Sequence, residues 1–176
     1  MSARIDYEVV ASDSTKGLTE LARFVRTGSL PPTLLELVKL RASQLNGCAY
    51  CLDLHSRRAR RVGVPEAQID TLEAWADSPA FSEKERAALS WTESLTRLTP
   101  DHVPDTAWDR VRANFSEREI VDLSITIVEI NSWNRLLLAF RTPPTFGKRP
   151  KASGDPPIGL KSGTSVSSDA RPPQPS

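Results

Sequence analysis

The stretch NGCAYCLDLHS, residues 46–56, holds the side chains best suited to chemistry in this chain. It contains both cysteines of the sequence, Cys48 and Cys51, and one of its two histidines, His55. If the stretch is helical, the three side chains fall within an arc of about 60°, because each residue turns a helix by about 100°. The i, i+3 spacing also brings the two cysteine Cα atoms to about 5–6 Å, which a disulfide accepts.

This arrangement is what a dithiol redox site requires. A thiolate is the reactive form of cysteine, and a nearby imidazole takes its proton at neutral pH. Attack on a peroxide leaves a sulfenic acid, which the second thiol converts to a disulfide. Cys51 lies one turn before His55 and is favoured as the attacking thiol, with Cys48 as the resolving one. The helix dipole argues for the opposite order, since Cys48 would lie in the first turn after Gly47.

Three other interpretations of the cluster compete with a redox site, and the sequence argues against the first two. A zinc site needs a fourth ligand, and the other histidine, His102, stands alone in TPDHVPD, where a loop is expected. Covalent haem attachment needs a histidine directly after the second cysteine, where Leu52 stands. The third interpretation is two buried thiols beside a surface histidine.

Composition narrows the class of protein. The formal net charge of +1 gives no whole-chain argument for nucleic acid or a membrane surface. The N-terminal sequence has no secretory pattern, and no apolar run is long enough to span a bilayer. We therefore expect a cytoplasmic protein that binds neither nucleic acid nor membrane. In a reducing compartment a C-x-x-C motif is expected to be redox-active or metal-binding.

The apolar spacing predicts an all-α single domain of about six or seven helices over residues 1–142. Ser82 with Glu85 and Ser116 with Glu119 form capping boxes, and Pro65 is expected to begin a helix. Residues 143–176 contain eight of the fourteen prolines and carry a charge of +3, so they are predicted to be a disordered tail.

One predicted helix, residues 120–140, is apolar on nearly every face. Such a helix must be buried on all sides, and we expect part of its surface to face another subunit of a homo-oligomer. Polar residues within it, among them Glu129, Asn131 and Asn134, must be hydrogen-bonded if they are buried.

The sequence resembles the carboxymuconolactone decarboxylase-like, alkylhydroperoxidase D-like (AhpD-like) family. Its redox members carry the pattern E-x11-C-x-x-C-x3-H, which Glu36, Cys48, Cys51 and His55 match in LLELVKLRASQLNGCAYCLDLH. The resemblance extends to about Arg141. By spacing alone, Glu36 could equally be a solvated charge or a partner of a nearby lysine or arginine.

The resemblance implies an all-helical fold that assembles into dimers, trimers or hexamers, and a thiol-dependent peroxidase. The substrate would be hydrogen peroxide or an organic hydroperoxide, and a protein or small-molecule dithiol would regenerate the enzyme without metal or haem. By the same resemblance Cys51 is the peroxidatic thiol, Cys48 the resolving thiol, His55 the base of a proton relay and Glu36 the carboxylate behind it.

The sequence departs from the family pattern at one position. The family's best-known peroxidase has a histidine between the cysteines, where this chain has Tyr50. A phenol donates a hydrogen bond but is a poor base at neutral pH, so a relay step through that position is in doubt. Family members that decarboxylate a lactone lack the cysteine pair, which argues against that activity. A non-catalytic redox sensor and a lyase-like enzyme are the alternatives.

Overall fold

The computed structural model describes residues 3–99 and 102–147. In that part of the chain there are eight α-helices and no strand: α1 (Tyr7–Ala11), α2 (Lys16–Arg26), α3 (Pro32–Asn46), α4 (Ala49–Val62), α5 (Glu66–Thr71), α6 (Glu83–Thr96), α7 (Asp105–Asn114) and α8 (Glu117–Ala139). A short 3₁₀ turn, Leu72–Ala74, follows α5. No helix among the described residues is both long and apolar enough to cross a membrane.

The all-α prediction is confirmed, and the local signals behind it have their expected geometry. Ser82 and Ser116 each accept a hydrogen bond from the backbone N–H three residues on, and the glutamates at those positions bond back to the serine N–H. Pro65 caps α5 and Pro104 caps α7. The short helix α1 was not predicted; Asp6 begins it by accepting a hydrogen bond from the Val9 N–H.

Helix α3 lies at the centre of the fold and contacts α4, α6 and α8. Apolar side chains of α3 enter two buried clusters, one shared with α6, α7 and α8, and one shared with α4, α6 and the 3₁₀ turn. Because burial of apolar surface is the main stabilising term, the position of α3 is fixed by contacts on several sides. Helix α3 is therefore a rigid base for the side chains that it presents to α4.

Helix α8 is buried along most of its length but not on every face. Ile127, Ile130 and Trp133 are almost fully buried, whereas Val121 is 57% exposed and Val128 is 51% exposed. The expectation of burial on all sides is thus not met within one chain.

The chain beyond α8 turns back against α4. The Asp53 carboxylate accepts hydrogen bonds from the Thr145 hydroxyl, at 3.2 Å, and from the Phe146 N–H, at 2.9 Å. The first residues of the predicted tail, 143–147, belong to this segment. The remainder of that predicted tail, residues 148–176, lies outside the described residues.

Candidate active site at the start of helix α4

The two cysteines form a disulfide at the N-terminus of α4. Their Cα atoms are 5.3 Å apart, and both side chains are buried. Cys48 is the N-cap residue rather than a member of the first turn, and its sulfur accepts a hydrogen bond from the Cys51 N–H at 3.3 Å. The sulfur thus takes the place of the oxygen that usually caps a helix, at the end where the dipole favours negative charge.

A glycine turn places this helix against α3. Gly47 has φ of 68°, in the left-handed region that glycine adopts without steric penalty, and it ends α3 immediately before Cys48. The Cys48 N–H donates to the Ser43 carbonyl at 3.1 Å, which fixes the reversal of the chain. The predicted break at Gly47 is confirmed, and it folds α3 and α4 against each other.

His55 and Glu36 meet across these two helices. The distance from His55 Nδ1 to Glu36 Oε2 is 2.7 Å, and the side chains are 2% and 13% exposed. Burial by itself raises the pKa of Glu36, but the charge and hydrogen bond of His55, with the charges of Lys39 and Arg58, outweigh it. The net effect is a pKa below the ordinary value, so the carboxylate remains ionised behind the imidazole at neutral pH.

Further charges surround Glu36 in the interior. The Lys39 ammonium lies 2.9 Å from Glu129 Oε2 on α8, and both side chains are almost fully buried. Arg58, also near Glu36 and Glu129, has a lowered pKa because burial penalises its charge more than the two carboxylates support it. The sequence identified Glu129 as a polar residue of an apolar helix that needs a partner if it is buried, but it gave no indication that this partner is Lys39.

Amide side chains join the end of α3 to α8 beside the disulfide. The Asn46 amide donates to Asn131 Oδ1 at 2.8 Å and to Asn134 Oδ1 at 2.9 Å. The Asn134 amide in turn donates to the Ser43 hydroxyl at 3.2 Å. The expectation that the buried asparagines of α8 would be hydrogen-bonded is confirmed. This network holds α8 against the residues that precede Gly47.

The zinc site considered as an alternative has no matching cluster of ligands among the described residues. In residues 3–99 and 102–147 no group of three or more histidine, cysteine, aspartate or glutamate side chains could hold a metal ion. His102 lies exposed in the loop before α7. Tyr50 is buried and shares a cluster with both cysteines and Trp133.

A cavity of about 380 Å³ opens beside the disulfide. Of the residues that the structure describes, its lining includes Cys48 but not Cys51. The walls come from the end of α8 and from the segment that follows it, Arg141 to Pro144. The cavity therefore borders the turn that carries Cys48.

Fold and site together define an all-helical protein with a C-x-x-C disulfide near a histidine–carboxylate pair. Residues 13–94 match the Carboxymuconolactone decarboxylase family. The protein YdfG of Bacillus subtilis (strain 168), itself uncharacterised, is 39% identical over 139 residues, which are 79% of this chain and 95% of that protein. The chain belongs to this family.

Solved structures agree with the assignment. The protein ATU0492 of Agrobacterium tumefaciens, of unknown function and provisionally assigned to antioxidant defence as AhpD, superposes with a TM-score of 0.79 at 36% identity. The match covers 81% of this chain and 98% of that one. The debrominase Bmp8 has the same fold, with a TM-score of 0.67 at 20% identity over 83% of this chain and 74% of that chain.

Proposed function

We propose that this protein is a thiol-dependent peroxidase that reduces hydrogen peroxide or organic hydroperoxides through Cys48 and Cys51. The observation that carries the proposal is the helix-capping disulfide one turn before a histidine that is hydrogen-bonded to a buried carboxylate. The disulfide is the oxidised product that such a cycle forms. Membership of the family and the likeness to a protein provisionally assigned to antioxidant defence support the same activity.

In the proposed cycle the Cys51 thiolate attacks one peroxide oxygen, the O–O bond breaks, and the other oxygen leaves as water or an alcohol after it takes up a proton. Cys51 is then a sulfenic acid. The Cys48 sulfur attacks it, the S–OH bond breaks, and water leaves as the disulfide forms. A protein or small-molecule dithiol reduces the disulfide and completes the cycle.

His55 is proposed to move the protons. It lies four residues after Cys51 on α4, so the two side chains share one face of the helix. The imidazole accepts the proton of the Cys51 thiol, and the ionised Glu36, 2.7 Å from Nδ1, orients the ring and stabilises the imidazolium. This pair supplies base catalysis without the histidine that Tyr50 replaces.

Peroxide turnover with dithiothreitol as the reductant tests the proposal. We expect wild type to consume peroxide continuously, and Cys48→Ser and Cys51→Ser each to lose nearly all sustained turnover. Single-turnover measurements distinguish the attacking thiol from the resolving thiol. Cys48→Ser should still consume about one equivalent of peroxide and form a sulfenic acid on Cys51, whereas Cys51→Ser should consume none.

Two outcomes would favour other functions. A wild-type protein that forms the disulfide with peroxide but does not sustain turnover with any dithiol would be a redox sensor. If the wild-type protein decarboxylates a lactone that carries a carboxylate, and Cys51→Ser retains this activity, the protein is a lyase in which the thiols take no part.

A further inference from the structure

We propose that the buried ion pair of Lys39 and Glu129 is a positioning element of the Glu36–His55 relay, and that it sets the pH range over which the reacting thiol loses its proton. The inference rests on the proposed function, because it adds two residues to the relay of that cycle. The cycle itself gives neither residue a part, although both are charged and almost completely buried.

A buried ion pair is a weak means of stabilising a fold. Withdrawing two charges from water is costly, and apolar residues of similar volume often stabilise a protein as well or better. The hydrogen bonding of this pair is also incomplete, because Glu129 Oε2 accepts no well-aligned hydrogen bond from the described residues. Packing alone would be served as well by two apolar side chains, so the charges themselves need a reason.

The pair lies next to the carboxylate of the relay. Lys39 follows Glu36 by one turn of α3, so the two side chains share one face of that helix. His55 and Arg58 repeat this spacing on α4. The contact of 2.7 Å between His55 Nδ1 and Glu36 Oε2 joins the two faces, and Glu129 of α8 meets Lys39 at 2.9 Å. Three helices thus contribute charges to one buried group.

Charge connects Lys39 to the relay. Burial alone would raise the pKa of Glu36, but the charge and hydrogen bond of His55, with the charges of Lys39 and Arg58, hold it below the ordinary value. Charges in the interior are screened far less than those on the surface. Loss of Lys39 therefore removes one of the cations that keep Glu36 ionised behind the imidazole.

The helices around α3 contribute the other charges of this region. Helices α2 and α4 add two cations that influence each other, Arg26 and Arg58. Helix α6 presents Glu93, which accepts a hydrogen bond from Arg41 at 2.9 Å. Arg41 lies five residues after Glu36 and so on another face of α3. Arg58 therefore reinforces Lys39, whereas the charge of Glu93 is balanced away from the relay.

The two charges of the pair act on the site in opposite directions. Each ionisation that prepares the thiolate leaves the site more negative, so a nearby cation favours it and a nearby anion opposes it. Without Lys39 the thiol should lose its proton at higher pH, and without the charge of Glu129 at lower pH. A purely structural role would give both variants the same effect, since either change breaks the same ion pair.

The pH dependence of Cys51 alkylation by iodoacetamide tests these directions without peroxide. Cys48→Ser leaves Cys51 as the one thiol of the full-length chain, and serine is a good N-cap for α4. Intact-mass measurements give the rate at each pH relative to its alkaline plateau, a ratio that does not depend on access to the sulfur. On the acid side of the profile this ratio should fall about threefold in Lys39→Met and rise about threefold in Glu129→Gln.

The exposed ion pair of Lys84 and Glu119, with its atoms 2.8 Å apart, provides matched controls. Lys84→Met and Glu119→Gln make the same chemical changes there, and glutamine also fits the capping box, so the profile should not move. Circular dichroism checks the fold of each variant. Arg58→Met removes the second cation near Glu36 and should move the profile in the direction of Lys39→Met, which keeps the comparison with Glu129→Gln available if Lys39→Met does not fold. Shifts of one sign for lysine or arginine loss and for Glu129→Gln, or no shift in either, would overturn the positioning role.

A double-variant cycle determines whether the pair acts through Glu36. If it does, Lys39→Met should move the profile less in a Glu36→Gln background than in its absence. A shift of unchanged size would mean that Lys39 acts on the thiol directly, and it would overturn the place of the pair behind Glu36.

The alkylation profile is independent of the peroxidase cycle. Opposite shifts in a protein that consumes no peroxide would overturn the proposed function and leave the positioning role intact. Sustained peroxide turnover in a protein whose profile is the same in all these variants would overturn the positioning role alone.

Discussion

Lys39 of α3 and Glu129 of α8 form an ion pair almost completely withdrawn from water, with Nζ 2.9 Å from Oε2 and exposures of 2% and 1%. Although the atoms are close, Oε2 accepts no well-aligned hydrogen bond from the described residues, so the attraction rests on charge. Lys39 lies one turn after Glu36, and its charge helps to lower the pKa of that carboxyl group. The pair therefore links the packing of α8 to the electrostatics of the proposed relay.

The first prediction concerns the stability that this pair maintains. Lys39→Met should lower the free energy of unfolding by about 3–5 kcal/mol, because it removes the ammonium that lies 2.9 Å from the buried Glu129 carboxylate and leaves that charge incompletely compensated. The double variant Lys39→Met/Glu129→Leu should recover most of that loss, since it removes both charges and fills the space with apolar atoms. Urea denaturation of the oxidised proteins measures both changes.

A second ion pair provides the matched control. Lys84 bonds Glu119 at 2.8 Å, but both side chains are far more exposed than Lys39 and Glu129. Lys84→Met should change the free energy of unfolding by about 1 kcal/mol or less. If Lys39→Met has an equally small effect, the buried pair does not hold the fold together.

The second prediction follows from the lowered pKa of Glu36. A carboxyl group whose pKa is lower in the folded than in the unfolded chain stabilises the fold where it is ionised. That contribution is fully present above the ordinary value of 4.5 and is lost as the pH falls through the lowered pKa. The unfolding free energy of wild type minus that of Glu36→Gln should therefore shrink on acidification from neutral pH.

Glu73→Gln serves as the control for this titration, because Glu73 is exposed on the 3₁₀ turn and lies outside the Glu36–His55 pair. As a substitution at an exposed side chain, it should change the unfolding free energy by about 0.5 kcal/mol or less. A wild-type advantage over Glu36→Gln that grows as the pH falls would contradict the inferred direction of the shift.

The third prediction concerns the proton acceptor. His55→Gln keeps a group that can donate a hydrogen bond to Glu36 but cannot accept a thiol proton near neutral pH. Peroxide consumption should fall by about 10²-fold, the usual contribution of one acid–base group. The rate of the variant should also rise with pH toward that of wild type, because hydroxide then deprotonates the thiol directly. A purely structural role for His55 would not produce that pH dependence.

The other histidine of the chain is the control for His55. His102 lies exposed in the loop before α7, and His102→Gln should leave turnover unchanged at every pH. If His55→Gln consumes peroxide at the wild-type rate, as His102→Gln is expected to, His55 takes no part in the mechanism.

The parts of the fold that the sequence predicted are those with local causes. The capping box of Ser82 and Glu85 and the left-handed turn at Gly47 depend on residues within a few positions of each other, so the pattern alone identifies them. Glu36 and His55 are separated by nineteen residues, and the turn at Gly47 folds the first helix against the second. Spacing left Glu36 ambiguous; the family pattern supplied its proposed role behind His55, and in the structure its carboxylate is hydrogen-bonded to that imidazole.

The features that the sequence missed depend on distant pairs. Lys39 and Glu129 lie on helices that other contacts bring together, and no local pattern connects them. The bonds from Asp53 to Thr145 and Phe146 join positions more than ninety residues apart. The proline content predicted a disordered tail from Pro143 onward, and it gave no indication that the first residues of that segment would bond to α4 and form a wall of the cavity.

The last prediction concerns the uncovered stripe of α8. Val121 and Val128, two helical turns apart, are each more than half exposed, and Val121 borders an apolar groove that includes Trp108. Because a contiguous apolar surface of this kind is covered in stable proteins, we expect a second copy of the chain to pack against it. Val128→Glu should lower the mass measured by sedimentation toward that of a monomer, while the same change at exposed Val10 on α1 should not. A wild-type protein that sediments as a monomer at every concentration would contradict this expectation.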